Sequence, residues 1–139
     1  TGAGGAFGKV LQNSGIADVI GKGFQGHESI GIMLPLLVAA GLKTAQGSST
    51  VAMITTAGLV TPLLPALGLD GASAKALTVV AIGAGSMLVS HANDSYFWVV
   101  NNLMGFTDTK EQIRNWSITS TIAWATGFVE LMVLSLFIK

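Results

Sequence analysis

Cysteine is absent, charge is scarce and histidine occurs only twice. Without cysteine there is no disulfide framework and no thiolate metal site. Seven basic and seven acidic side chains cancel to a formal net charge of zero, which argues against a nucleic-acid partner held through a basic face. The two histidines, His27 and His91, lie far apart. They are too few for the usual metal or nucleophile–base constellations, which weighs against a membrane enzyme using His91 and Asp94 as acid and base. The opening TGAGGAFG invites comparison with the dinucleotide fingerprint, but its third glycine position is Phe7 and no strand precedes it, so no cofactor is expected from it.

The shortage of charge is the strongest of these absences. Only 10% of the 139 residues are charged, while 50% are hydrophobic; an ordinary soluble domain carries roughly 25% charged residues. With a mean hydropathy of +0.64, too few charges remain to cover a water-facing surface. The expected class is all-α, a polytopic helical membrane protein with broken or re-entrant helices. The competing reading is a soluble or membrane-associated helical ligand-binding or interaction domain without transport activity, for which solubility without detergent would decide. The chain begins without an initiator Met or a basic-then-apolar signal, so residues 1–139 are read as one unit of something longer.

Residues 79–100, VVAIGAGSMLVSHANDSYFWVV, organise the rest. An apolar, glycine-studded run enters, an aromatic and β-branched run leaves, and between them lies a polar knot of Ser90, His91, Asn93, Asp94 and Ser95. From Ala76 to Thr107 the one full charge is Asp94. Two helical pieces meeting at an interruption at membrane depth explain this pattern better than a soluble core element does. Asp94 or Ser95 can cap the second piece, which ends near Gly105 with Asn101 and Asn102 at its polar end.

A second interruption is expected earlier. Residues 30–42 are apolar, contain Pro35, which would kink a helix, and are stopped by Lys43. Gln46-Gly47-Ser48-Ser49-Thr50 follows, then an apolar run ended by Pro62 and Pro65, with no charge from Thr44 to Leu69. Ser48 or Ser49 is the expected N-cap. A cap needs one hydroxyl; three in a charge-free stretch point to a ligand-facing helix start, whose free N–H groups and positive dipole end suit a carboxylate.

The remaining segments frame these two. Residues 1–8 read as backbone needing close approach or positive φ, residues 16–23 as a short interfacial stretch, and His27 and Glu28 as solvated loop residues. Asp108 and Glu111 form a capping-box pattern. Residues 116–138 are long enough to span, with Trp116 placed as an interfacial aromatic and Glu130 as the single charge.

Three motifs in order, GAGGAFGKVL, AQGSSTVAMITTAGLVTPLL and IGAGSMLVSHANDSYFW, together resemble the C-terminal portion of the gluconate permease family, the gluconate:proton symporters. The resemblance implies a multi-pass carrier of the cell inner membrane that moves a sugar-acid anion with protons. The proton gradient would be the energy source, and no cofactor is implied. It further implies that the remainder of the carrier is a partner of this chain. Distant relatives of the family are built from inverted repeats, and some work as homodimers. On this reading Gln46, Ser48, Ser49 and Thr50 with their backbone N–H groups would bind the substrate carboxylate or its hydroxyls, and Asn93 and Ser95 would read hydroxyls from the second break. Asp94 is the first candidate for the coupled proton, because burial in a low-dielectric site disfavours its charged form; His91 is the second.

Overall fold

The computed structural model describes residues 13–14 and 31–137. The expectations for residues 1–8 and 16–23, and for His27 and Glu28, lie outside the described residues. Among those described, every regular element is helical.

Helix α1 (Met33–Gln46) carries Lys43, the residue that ends the apolar run, in its last turn. Pro35 falls in the first turn of α1, three residues after Ile32, where a turn separates helical Gly31 from Met33; a proline has no N–H to give to the carbonyl four residues before it. Gly47 ends the helix in a left-handed conformation at φ 76°, its N–H donating to the Lys43 carbonyl at 2.8 Å; glycine adopts this without a Cβ penalty. Helix α2 (Ser49–Val60) begins two residues on. Its N-cap is Ser48, whose hydroxyl accepts from the Val51 N–H at 3.3 Å. A 3₁₀ turn over Thr61–Leu63 carries Pro62, and the chain reverses at Gly68, φ 71°.

Helices α1 and α2 form a hairpin. Val60, Leu63, Leu64 and Leu67, at and beyond the end of α2, pack in one cluster with Ile32 and Leu36 at the start of α1. Gly31 lies against the Leu67 carbonyl. The arms have 14 and 12 residues, so at 1.5 Å per residue each is about 20 Å long. Each is shorter than a hydrocarbon core of about 30 Å.

Helix α3 (Ala72–Gly85) lies along α1. Leu36 lies against Gly85, while Lys43 and Thr44, a few residues on, meet Asp94 and Asn93, so α1 and α3 with its following loop run in the same direction. Residues 86–94 leave helical geometry. Helix α4 (Ser95–Leu103) then starts on Asp94, whose carboxylate accepts from the Tyr96 N–H at 2.9 Å, and stops before Gly105, φ 71°. Asn101 is not at a polar end: it is 1% exposed, with its amide donating to the Phe97 carbonyl at 2.8 Å, because it shares the inward face of α4 with Phe97.

Helix α5 (Thr109–Gln112) is capped by Asp108. It continues through a π-helical turn, Ile113–Ser117, into α6 (Ile118–Phe137). Together Thr109–Phe137 make a 29-residue helix, long and apolar enough to cross a membrane and almost entirely unburied within this fold. α6 packs on α3, with Gly127 against Ala84. Leu131 joins the core, and Trp124 and Phe128 stack beside it with ring centroids 5.7 Å apart. Glu130 is on the exposed side.

Candidate functional site

The two interruptions meet. The tip of the α1–α2 hairpin presses on the α3–α4 loop so closely that a Cβ on Gly47 would lie 2.1 Å from the Asn93 carbonyl oxygen. Asn93 answers with its side chain, whose amide donates to the Thr44 carbonyl at 2.9 Å.

Beneath this contact lies an ion pair. The Lys43 ammonium is 2.6 Å from Asp94 Oδ2 and donates also to the Gly47 carbonyl at 2.8 Å. Lys43 is 2% exposed and Asp94 7%. The Ser90 hydroxyl donates to the same Oδ2, and the Tyr96 N–H to Oδ1. Asp94 is therefore not the lone buried carboxyl that the sequence suggests. It has a cation and two further donors, and charges buried this deeply persist only when paired and hydrogen-bonded.

The pair is part of the wall of a cavity of about 830 Å³. From the hairpin side the wall includes Gln46, Gly47, Ser48, Ser49 and Thr50; from the loop side it includes Ser90, Asn93, Asp94, Ser95 and Tyr96. Two residue sets some 45 positions apart in sequence thus face one space. The Ser48 hydroxyl is engaged as N-cap of α2. The N–H groups of Ser49 and Thr50, the first two residues of that helix, have no acceptor within it, so the positive end of α2 opens on the cavity.

His91 is the one sequence-derived candidate that the cavity does not include. It is half-buried, with a ring nitrogen, Nδ1, that is buried without a hydrogen-bond partner. Its carbonyl instead shapes the loop by accepting from the Asp94 N–H at 2.8 Å.

Several wall residues escaped the sequence reading. Lys43 read only as the end of an apolar run, because a lysine at such an edge is normally a surface anchor. Trp116 read as an interfacial aromatic, yet it lines the cavity with Tyr96, ring centroids 5.2 Å apart in an edge-to-face contact. Its neighbour Ser117 fastens this helix to the loop by donating to the Ser90 carbonyl at 2.6 Å, while the Ser120 hydroxyl accepts from the Ser90 N–H at 3.0 Å. The signal for Lys43 was available in one form: the adjacent charge-free stretch from Thr44 to Leu69 contains no anion to pair with it.

The model of the family described as GntP family permease matches residues 1–137. The chain belongs to the GntP permease family. It is 40% identical over 137 residues to a gluconate permease of Bacillus licheniformis, covering 99% of this chain and 30% of that protein. It is 40% identical over 135 residues to a gluconate permease of Pseudomonas aeruginosa, covering 97% of this chain and 29% of that protein. It is 36% identical over 132 residues to a low-affinity gluconate transporter of Escherichia coli, covering 95% of this chain and 29% of that protein. The chain thus spans about 30% of the length of these relatives. No solved structure matches it.

GntP permeases are polytopic, so this chain is part of an integral membrane protein. That accounts for the large apolar side chains left uncovered on the outer faces, among them Val79 on α3, Leu103 on α4 and Val129 and Leu136 on α6. Lipid, or the rest of the permease, takes the place that water has around a soluble domain.

Proposed function

We propose that this chain forms a substrate-binding portion of a proton-coupled carrier that moves gluconate or a related sugar acid across the cell inner membrane. The observation that carries this reading is the meeting of the hairpin tip with the α3–α4 loop around one cavity, whose wall sets hydroxyls, amides and an ion pair among apolar side chains. Irregular backbone at membrane depth is tolerated where it lines such a cavity. Half-helix N-termini aimed at anionic substrate groups are a recurring device of secondary transporters.

In this reading the Ser49 and Thr50 N–H groups and the hydroxyls of Ser48, Ser49 and Thr50 take the substrate carboxylate or its hydroxyls. Gln46, Asn93 and Ser95 hydrogen-bond hydroxyls along the carbon chain. The faces of Tyr96 and Trp116 cover its C–H groups. Asp94 accepts the coupled proton, with His91, outside the wall, as the second candidate. The printed names of the relatives, gluconate permease and gluconate transporter, support the substrate class. The carrier would be multi-pass, with the rest of its chain as the necessary partner; a second copy of the carrier is compatible with the uncovered outer faces. Its work is transport, so no bond of the substrate is made or broken.

The test is uptake of labelled gluconate by sealed vesicles holding the complete carrier, with and without an imposed pH gradient. Accumulation that follows the gradient supports the reading. Flux that ignores the gradient removes the proton, and absence of flux for gluconate and every other aldonate removes the carrier.

A further inference from the structure

The buried cation of the cavity has no role in the account above. Building on that account, we propose that Lys43 is the counter-ion of the substrate carboxylate, and that Asp94 and the substrate compete for it. The Lys43 ammonium has three donors. One goes to the Gly47 carbonyl and one to Asp94 Oδ2, so the same side chain ties the hairpin tip to the loop and stands in the cavity wall between them. Asp94 is already a carboxylate seated where a carboxylate ligand would bind.

Charge balance sets the consequence. With Asp94 ionised, the pair is neutral; an added substrate carboxylate would leave a net negative charge in a low-dielectric site, which is strongly disfavoured. With one proton from the medium on Asp94, the Asp94–Lys43 ion pair is lost and the ammonium is free. The substrate carboxylate then replaces Asp94 and the site is neutral again. Proton and anion therefore favour each other's binding, and by reciprocity each raises the affinity for the other by the same factor. Among the described residues of the cavity wall, Tyr96 is the one other titratable side chain. The wall residues of α2, α3 and α6 are uncharged, including Thr50, Met53, Gly83 and Ser120. His91 shares the loop with Asp94 but lies outside the wall.

The experiment uses the full-length carrier in membranes, with labelled gluconate as the probe and sorbitol, its uncharged reduced counterpart, as competitor. Lys43→Gln combined with Asp94→Asn neutralises both partners at nearly constant size, so it removes the charges without leaving either one unpaired. It should weaken gluconate binding by about 10- to 100-fold, the range of a lost charge-assisted hydrogen bond, and abolish the preference for gluconate over sorbitol. A double variant that retains wild-type affinity and preference would make the pair a structural clasp and overturn the proposal. The unmodified carrier supplies a second test that needs no variant: at mildly alkaline pH, binding of gluconate should withdraw protons from weakly buffered medium, and binding of sorbitol should not. Gluconate binding without proton withdrawal also overturns it. A wild-type carrier that binds no aldonate at all would instead sink the carrier reading itself.

Discussion

Gly47 and Asn93 bring the two helix interruptions into backbone contact, with space for a hydrogen on Gly47 and for nothing larger: a Cβ would sit 2.1 Å from the Asn93 carbonyl oxygen and 2.5 Å from its carbon. The contact places the hairpin tip and the loop before Asp94 in the wall of one cavity. It also holds Lys43 and Asp94 within hydrogen-bond distance across 51 positions of sequence.

Gly47→Ala should therefore separate the interruptions. The residue is left-handed at φ 76°, which costs a non-glycine residue about 1–2 kcal/mol, and the methyl overlap with backbone adds to this because neither side is a flexible chain end. The expected outcome is a carrier with a clearly lowered melting temperature in detergent and no gluconate uptake. A variant that melts with the wild type would mean that the contact is looser than the geometry requires.

How far the sequence disclosed this arrangement depends on the range of the interaction. The caps were legible to within one residue, as Ser48 or Ser49 for α2 and Asp94 or Ser95 for α4, and the end of α2 was legible from Pro62 and Pro65, because capping and proline effects act within a few residues. The pairing of Lys43 with Asp94 was not. No local pattern tells a lysine that anchors a helix end at the surface from one that turns inward, and the deciding partner is 51 residues away. The contact of Trp116 with Tyr96 was hidden for the same reason: an aromatic ahead of a spanning run suits the interface, and its tertiary neighbour cannot be read from local pattern.

Two glycines of α3 give a paired stability test. A Cβ on Gly85 would meet the Leu36 carbonyl oxygen at 2.2 Å, whereas nothing lies within 4 Å of one on Gly83, which borders the cavity. Gly85→Ala should push α1 from α3 and destabilise the carrier in thermal melts. Gly83→Ala should be neutral or stabilising by up to about 1 kcal/mol, the helix-propensity gain of alanine over glycine. Equal effects of the two changes would contradict the close approach of α1 and α3.

Ser117 and Ser120 pin the start of α6 to the loop through both backbone groups of Ser90. Ser117→Ala removes the donor from the Ser90 carbonyl in a buried place, a loss of about 1–3 kcal/mol. The Ser90 hydroxyl donates to Asp94, so a loosened Ser90 should also disturb the ion pair. The expected result is a lower melting temperature together with a shifted pH profile of uptake. A drop in stability with an unchanged profile would confine Ser117 to holding the helix in place.

Ser48 and Ser49 are neighbours with different duties, and single substitutions should separate them. The Ser48 hydroxyl caps α2 through the Val51 N–H at 3.3 Å, so Ser48→Ala should cost about 0.5–2 kcal/mol of stability. No such local bond occupies the Ser49 position, which opens on the same cavity. Ser49→Ala should then leave the melting temperature within the scatter of surface changes, about 0.5 kcal/mol, and weaken gluconate binding by up to about tenfold, the equivalent of one neutral hydrogen bond. Affinity measured in the Ser48→Ala, Ser49→Ala double variant decides the matter. If it equals that of the wild type, the hydroxyls at the hairpin tip serve the helix start alone, and the carboxylate must be held by the N–H groups and by Lys43.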